Sequence, residues 1–319
     1  MATSSHLLSA ADAAFTRRER RLALVSMCSA ALLFATMSAV TKVATRPAGS
    51  APALSGGELA FYRYFFGLVS MLVLAQVRPI SLSGNDRKGL IWRGMFGGIA
   101  STCFFLGIQY TSLTNATMLN YTFVIWAPLL AVFVLGEKPG WRQALGIGLG
   151  LSGVALVTRP EVGHVRAGDL VALFSGVMAG AGHVQIRKLR QGETSYAIFF
   201  YYNLLGIPCA MTALLLTGQS FHVPAWQQIP LLLMVGATST AAQLLMTYGY
   251  RVLTTAQGSL ISLTTMIYST GMAFLFFQEP LPWTALLGGA LILFSALTLT
   301  AQRARPAALS TPFEERPPS

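Results

Sequence analysis

The side chains able to move a proton or hold a metal are few and far apart. Four histidines (His6, His164, His183 and His222) and eleven acidic residues are scattered along the chain. A His-Glu-x-x-His zinc motif, a Gly-x-Ser-x-Gly elbow and a Walker A loop are all missing from the sequence. No catalytic residue, metal site or cofactor is therefore expected, and a membrane-embedded enzyme is only the third reading of the chain. What remains is a set of polar residues isolated within apolar runs. Lys42 either snorkels to the membrane interface or holds an anionic group. Arg63 either pairs with Glu58 as a structural clamp or contacts a substrate carboxylate through its planar fork. His183 either relays a proton or packs with a hydrogen bond, and Gln243 joins the set, with Tyr201, Tyr202 and Asn203 as weaker members. No acidic residue falls in the middle third of an apolar run, whereas proton-driven carriers often keep a buried carboxylate there. The expected flux is facilitative or by exchange, or else coupled to protons through His183.

The elements that must position these residues are membrane helices. Of the 319 residues, 54% are apolar and 10% charged, with a mean hydropathy of +0.58. A soluble domain carries roughly 25% charged residues. Ten apolar segments have about the length that a bilayer core requires. They are Leu22–Thr45, Gly57–Val77, Gly89–Gln109, Leu113–Leu135, Trp141–Thr158, Gly168–Ile186, Ser195–Leu216, Gln228–Tyr248, Leu253–Phe277 and Trp283–Thr300. Helical spacing places Thr117, Asn120, Tyr121, Val124 and Pro128 on one face of the fourth segment. It places Gln257, Ile261, Thr264 and Tyr268 on one face of the ninth. Polar groups facing lipid are costly, so these faces either line a cavity or bond neighbouring helices.

Those two segments correspond through a repeat. Glu137-Lys138-Pro139-Gly140-Trp141 is echoed by Glu279-Pro280-Leu281-Pro282-Trp283, and Tyr110, Leu113, Thr114 and Ala116 by Tyr250, Leu253, Thr254 and Ala256. The period of about 140 residues is too long for a solenoid unit. Each copy holds five apolar segments, and an odd number inserts the second copy upside down, as in many transporters. Thr117 matches Gln257, Trp126 matches Tyr268 and Tyr202 aligns with Arg63, while Ser269 and Thr270 stand near the place of Pro128. The expected fold is an all-α membrane protein, a ten-helix bundle of two inverted five-helix repeats. Its parts are residues 1–21 (a disordered tail), 22–158, 159–300, and 301–319 (a second disordered tail).

With the N-terminus in the cytoplasm, the cytoplasmic segments collect nearly all the basic residues: Arg17–Arg21, Arg78, Arg87, Lys88, Arg93, Lys138, Arg142, Arg187, Lys188, Arg190, Arg251 and the C-terminal arginines. The outer segments hold only Arg46, Arg159 and Arg166, and Lys42 and Arg63 stay within spans. This skew predicts both termini in the cytoplasm. It also explains the net charge of +11 without nucleic acid, which is not an expected partner. The first segment exceeds a signal-peptide core and reads as a retained helix. Cys28, Cys103 and Cys209 lie within spans and read as core thiols. Glycines four apart, as at Gly94/Gly98, Gly146/Gly150 and Gly176/Gly180, allow close helix contact. Packing within one chain is the expected use, with a homodimer as the alternative.

Four stretches carry a family resemblance: Ser38-Ala39-Val40-Thr41-Lys42 closing the first helix, Phe61-Tyr62-Arg63-Tyr64 in the second, Tyr110-Thr111-Ser112 through Pro128 to Gly136-Glu137-Lys138, and Gly146 to Gly153. Over roughly Leu22 to Thr300 the chain resembles the EamA-type family of the drug/metabolite transporter superfamily. That resemblance implies a multi-pass carrier in the bacterial cytoplasmic (inner) membrane. It implies export of a small organic substrate by alternating access, with amino acids, their derivatives or a metallophore as cargo. Uptake of a vitamin or nucleoside-type cofactor, riboflavin-like or S-adenosylmethionine-like, is the alternative. The aromatic residues Tyr121, Trp126 and Tyr268 suit a cargo with an apolar part.

Overall fold

The computed structural model of the chain describes residues 16–44, 53–111, 113–137, 140–158, 167–277 and 283–300. The first copy forms α1 (Arg17–Ala44), α2 (Gly56–Val77), α3 (Arg87–Tyr110), α4 (Leu113–Tyr121), α5 (Phe123–Leu135) and α6 (Trp141–Thr158). The second forms α7 (Ala167–Leu189), α8 (Ser195–Leu216), α9 (Ile229–Gly249), α10 (Thr255–Ser262), α11 (Thr264–Phe277) and α12 (Trp283–Thr300). Strands are absent among the described residues. Among the described residues, seven spans are long and apolar enough to cross a membrane, and shorter apolar helices at Leu119–Leu135, Ala144–Leu156 and Leu286–Ser295 fall where the other expected segments lie. Arg17–Arg21, expected in the tail, instead form the start of α1, where Thr16 and Glu19 cap each other.

Polar side chains at the helix starts answer backbone N–H groups that the helix leaves open. Ser55 and Glu58 form a capping box at α2, and Thr254 and Gln257 form one at α10. Asp86 caps α3 and Thr194 caps α8. Gly136, with φ +64°, ends α5 in the left-handed conformation that glycine adopts without strain.

The fourth and ninth spans are each interrupted once, at repeat-related positions. At Thr122 the backbone bonds tighten to three-residue spacing, Thr122 N to Leu119 O at 3.3 Å and Ile125 N to Thr122 O at 2.8 Å. At Leu263 the same happens, with Leu263 N to Leu260 O at 3.1 Å and Met266 N to Leu263 O at 3.0 Å. Such tight turns within a helix often mark hinges.

The copies are interlocked. α1 packs along α9 and α11 of the second copy, and α7 packs along α3 and α5 of the first, while α2 meets its own counterpart α8 and α6 meets α12. This exchange is what a two-fold relation between the copies produces. The start of α1 lies at the end of α9, where Gly249 abuts Met27. The end of α7 lies there too, where Arg187 bonds the Tyr250 carbonyl at 3.1 Å. α1 and α7 therefore run in opposite directions, as inversion requires. The glycine pairs serve this packing: Gly94 and Gly98 face α8, Gly176 faces the α4–α5 break, and Gly180 faces Trp126.

Leu32, Phe65, Phe133, Leu215 and Phe274 are among many large apolar side chains left on the outside of the bundle, which suits lipid contact. Exposed Trp92 and Trp141 mark the end carrying Arg87, Arg187 and Arg251, and exposed Trp226 and Trp283 mark the other. Tryptophans at both ends are the belts expected at two membrane interfaces.

Candidate substrate site

The α2–α8 crossing buries the polar centre of the bundle. Arg63 of α2 is 4% exposed, and its Nε donates to Ser239 Oγ of α9 at 2.5 Å. Its guanidinium lies 5.8 Å from the Phe105 ring and 5.7 Å from the Tyr202 ring. The pairing with Glu58 considered from sequence is not formed. Glu58 sits in the first turn of α2, where its carboxylate accepts the Ser55 N–H and both the backbone N–H and ring Nδ1 of His222. Five residues along a helix are about 140° apart around its axis, so Arg63 faces α9 while Glu58 faces the His222 loop.

Arg93, counted above with the cytoplasmic segments, is instead inside the bundle and 3% exposed. Its guanidinium carbon lies 4.6 Å from the Tyr202 ring centre, and Nη2 approaches Gln243 Oε1 of α9 at 3.5 Å. Nε and Nη1 are buried without a hydrogen-bond partner. Helical side chains tilt toward the N-terminus of their helix, which for α3 is the near, basic end. A snorkelling arginine would leave that way. Arg93 turns the other way and runs along α3 to Gly97, where an added Cβ would collide with Nη1. An arginine within a bilayer costs about 2.5–3.5 kcal/mol even on lenient insertion scales. A desolvated ring contact returns about 2 kcal/mol, and a 3.5 Å approach to Gln243 adds little. The guanidinium is held at a net cost.

Around it stand residues of both copies. Tyr202 shares a hydrogen bond with Ser101 at 2.8 Å, and the Tyr64 hydroxyl donates to the Gly98 carbonyl at 3.0 Å. His183 Nδ1 meets the Tyr250 hydroxyl at 2.9 Å, with the Phe123 ring 4.5 Å away. Nearer the basic end, Glu137 and Arg187 form an ion pair at 3.4 Å. Arg187 also donates to the carbonyls of Tyr250 and Arg251, and Glu137 accepts the Thr255 N–H. One ion pair thus ties the ends of α5 and α7 to the turn between α9 and α10. A cavity of about 570 Å³ opens at this end, lined by Arg190, Glu193, Tyr196, Leu244, Tyr248 and Arg251. Small-molecule pockets run from about 300 to 1,000 Å³, and Leu244 is the chain neighbour of Gln243.

The residues singled out from sequence divide into groups. Arg63, His183 and Gln243 join the buried cluster with Arg93. Asn120 bonds Ser175 of α7 at 2.9 Å, and Tyr121 lies beside Thr265 across the two copies. Trp126 reaches back to Thr122 at 3.3 Å, beside the α4–α5 break. Gln257 helps cap α10, and Thr264 bonds the Ile261 carbonyl at 2.7 Å at the second break. Thr117 and Tyr268 are partly buried on α4 and α11. The side chain of Lys42 and the Glu279–Pro282 turn lie outside the described residues. Sequence reasoning missed Arg93, Ser239, Tyr64 and Tyr250. The signal for Arg93 was its place inside the predicted span, one turn from Gly97.

Comparison with known proteins agrees with this architecture. A profile of the EamA-like transporter family matches residues 21–159 and again 166–301. The chain belongs to the EamA-like transporter family. This EamA protein is 24% identical to the pseudopaline exporter CntI of Pseudomonas aeruginosa, over 85% of the chain and 93% of that protein. It is 27% identical to an uncharacterized transporter of Helicobacter pylori, over 69% of the chain and 74% of that protein. It is 23% identical to human solute carrier family 35 member G1, over 73% and 68%. A solved crystal structure superposes with a TM-score of 0.72 at 17% identity, covering 87% of the chain and 96% of the other. It shares the fold. The EamA chain is a membrane transporter and not an enzyme.

Proposed function

We propose that this EamA protein exports a small organic metabolite from the cytoplasm by alternating access, with an amino acid or amino-acid derivative as cargo. An amino-acid-derived metallophore falls within that class. The observation that carries the reading is the similarity to a pseudopaline exporter along 93% of that protein's length. The buried cluster of Arg63, Arg93, Gln243 and Tyr202 supports it, because it combines cationic, amide and aromatic groups for a cargo with charged and apolar parts. The paired breaks at Thr122 and Leu263 supply hinges in both halves. The protein sits in a bacterial inner membrane with both termini in the cytoplasm, which makes the basic end the cytoplasmic one.

Metabolite profiling of cells and medium from a deletion strain tests this. The expected result is accumulation inside and loss from the medium of one amino-acid-class compound. Depletion inside, with that compound left in the medium, overturns export in favour of uptake.

A further inference from the structure

Building on the carrier reading, we propose that Arg93 is the docking cation for a carboxylate of the cargo, with Arg63, over the same Tyr202 ring, as a second positive group. Two of its guanidinium nitrogens are buried without a partner. Among the described residues no carboxylate lies within ion-pair distance of it. Buried charges in proteins are paired, and Nε and Nη1 are the two donors of Arg93 that could take the oxygens of an anion. One hydrogen of Nη2 points to Gln243. The other, together with Nε or Nη1, makes a planar fork that matches the two oxygens of a carboxylate. Gly97 makes room for the guanidinium itself, since a Cβ there would collide with Nη1.

The test uses purified full-length protein in detergent and reads thermal unfolding against sodium benzoate, sodium phosphate or sodium chloride at equal ionic strength. Benzoate is expected to raise Tm saturably, and phosphate and chloride are not. In Arg93→Met the apparent dissociation constant for benzoate rises about tenfold or more, and in Arg93→Lys it rises less. The anion-free Tm of Arg93→Met equals or exceeds that of the parent, since an unpaired buried charge has been removed. Absence of a saturable benzoate shift in the parent overturns the proposal, as does an undiminished shift in Arg93→Met or a lowered anion-free Tm. A phosphate shift matching that of benzoate overturns the carboxylate assignment. Should Arg93→Met fail to fold, the parent and Arg93→Lys titrations still decide. A deletion strain with unchanged medium would sink the export reading and leave the benzoate result standing. A normal export defect without benzoate binding would do the reverse.

Discussion

The ring of Tyr64 lies over Gly206, and a Cβ on that glycine would come within 2.5 Å of it. At the repeat-related place the Asn203 amide lies over Gly67. Each copy therefore lends a side chain to a glycine of the other at the crossing of α2 and α8. Gly206→Val is expected to cost about 1–3 kcal/mol of stability by overpacking. Thermal unfolding in detergent reads it, and the loss shrinks when Tyr64→Ala is added. An equal loss in both backgrounds would show that the ring does not fill the glycine's place.

Gly97→Ala should be destabilising by a similar amount, about 1–3 kcal/mol, because Arg93 and the Tyr202 ring both crowd that position. With Arg93→Met the two changes are expected to be non-additive, the double variant being more stable than the sum predicts. A double-mutant cycle of unfolding midpoints checks it. Strict additivity would mean that Arg93 does not occupy the glycine slot.

The Glu137–Arg187 pair is partly exposed at 16% for each side chain, so its effect on global stability is small, about 0–1 kcal/mol. Its effect on access is larger, since it joins three chain segments. In Glu137→Gln, a cysteine at buried Ser259 should react several-fold faster with a membrane-impermeant maleimide added from the basic side. High salt should raise labelling of the parent toward the variant's rate. No change in rate would mean that the pair does not latch this end.

His183 is expected to act as a packing group between Phe123 and Tyr250. His183→Gln should retain flux in proteoliposomes, with a stability loss of about 1 kcal/mol for the altered hydrogen bond. An imposed pH gradient should leave the initial flux of both proteins unchanged. Gradient-driven flux that disappears in His183→Gln would make the ring a proton relay instead.

Glu58→Gln removes an acceptor that serves three donors, two of them from His222. The expected cost is about 1–2 kcal/mol, the range for a lost cap. Proteolysis of the segment around His222 should become faster, and an unchanged cleavage rate would count against this anchoring role.

The helical spans, the repeat and its inversion were legible because hydropathy and charge skew are summed over many residues. Of the buried cluster, Arg63, His183 and Gln243 stood out in the sequence because each is a polar residue within an apolar span. Arg93 was counted with the cytoplasmic segments because it stands near the helix end, and Gly97, a turn further in, is where its side chain goes instead. Gln257 was read on a face that lines a cavity or bonds a neighbouring helix, and Thr254 three residues earlier spells the capping box that it forms. The breaks at Thr122 and Leu263 carry no glycine or proline of their own. No local pattern announces them.

The interlocking of α1 with α9 sets a constraint on biogenesis. α1 is synthesised long before α9 and must wait in the bilayer until that helix has been made. Its waiting face is Ala23, Met27, Ala30, Ala31 and Ala35, all apolar and harmless to leave in lipid. Arg93 has no such ease, because the ring it lies against arrives only with α8. Neither half made alone would hold its partners, whereas the two halves made together as separate chains should assemble.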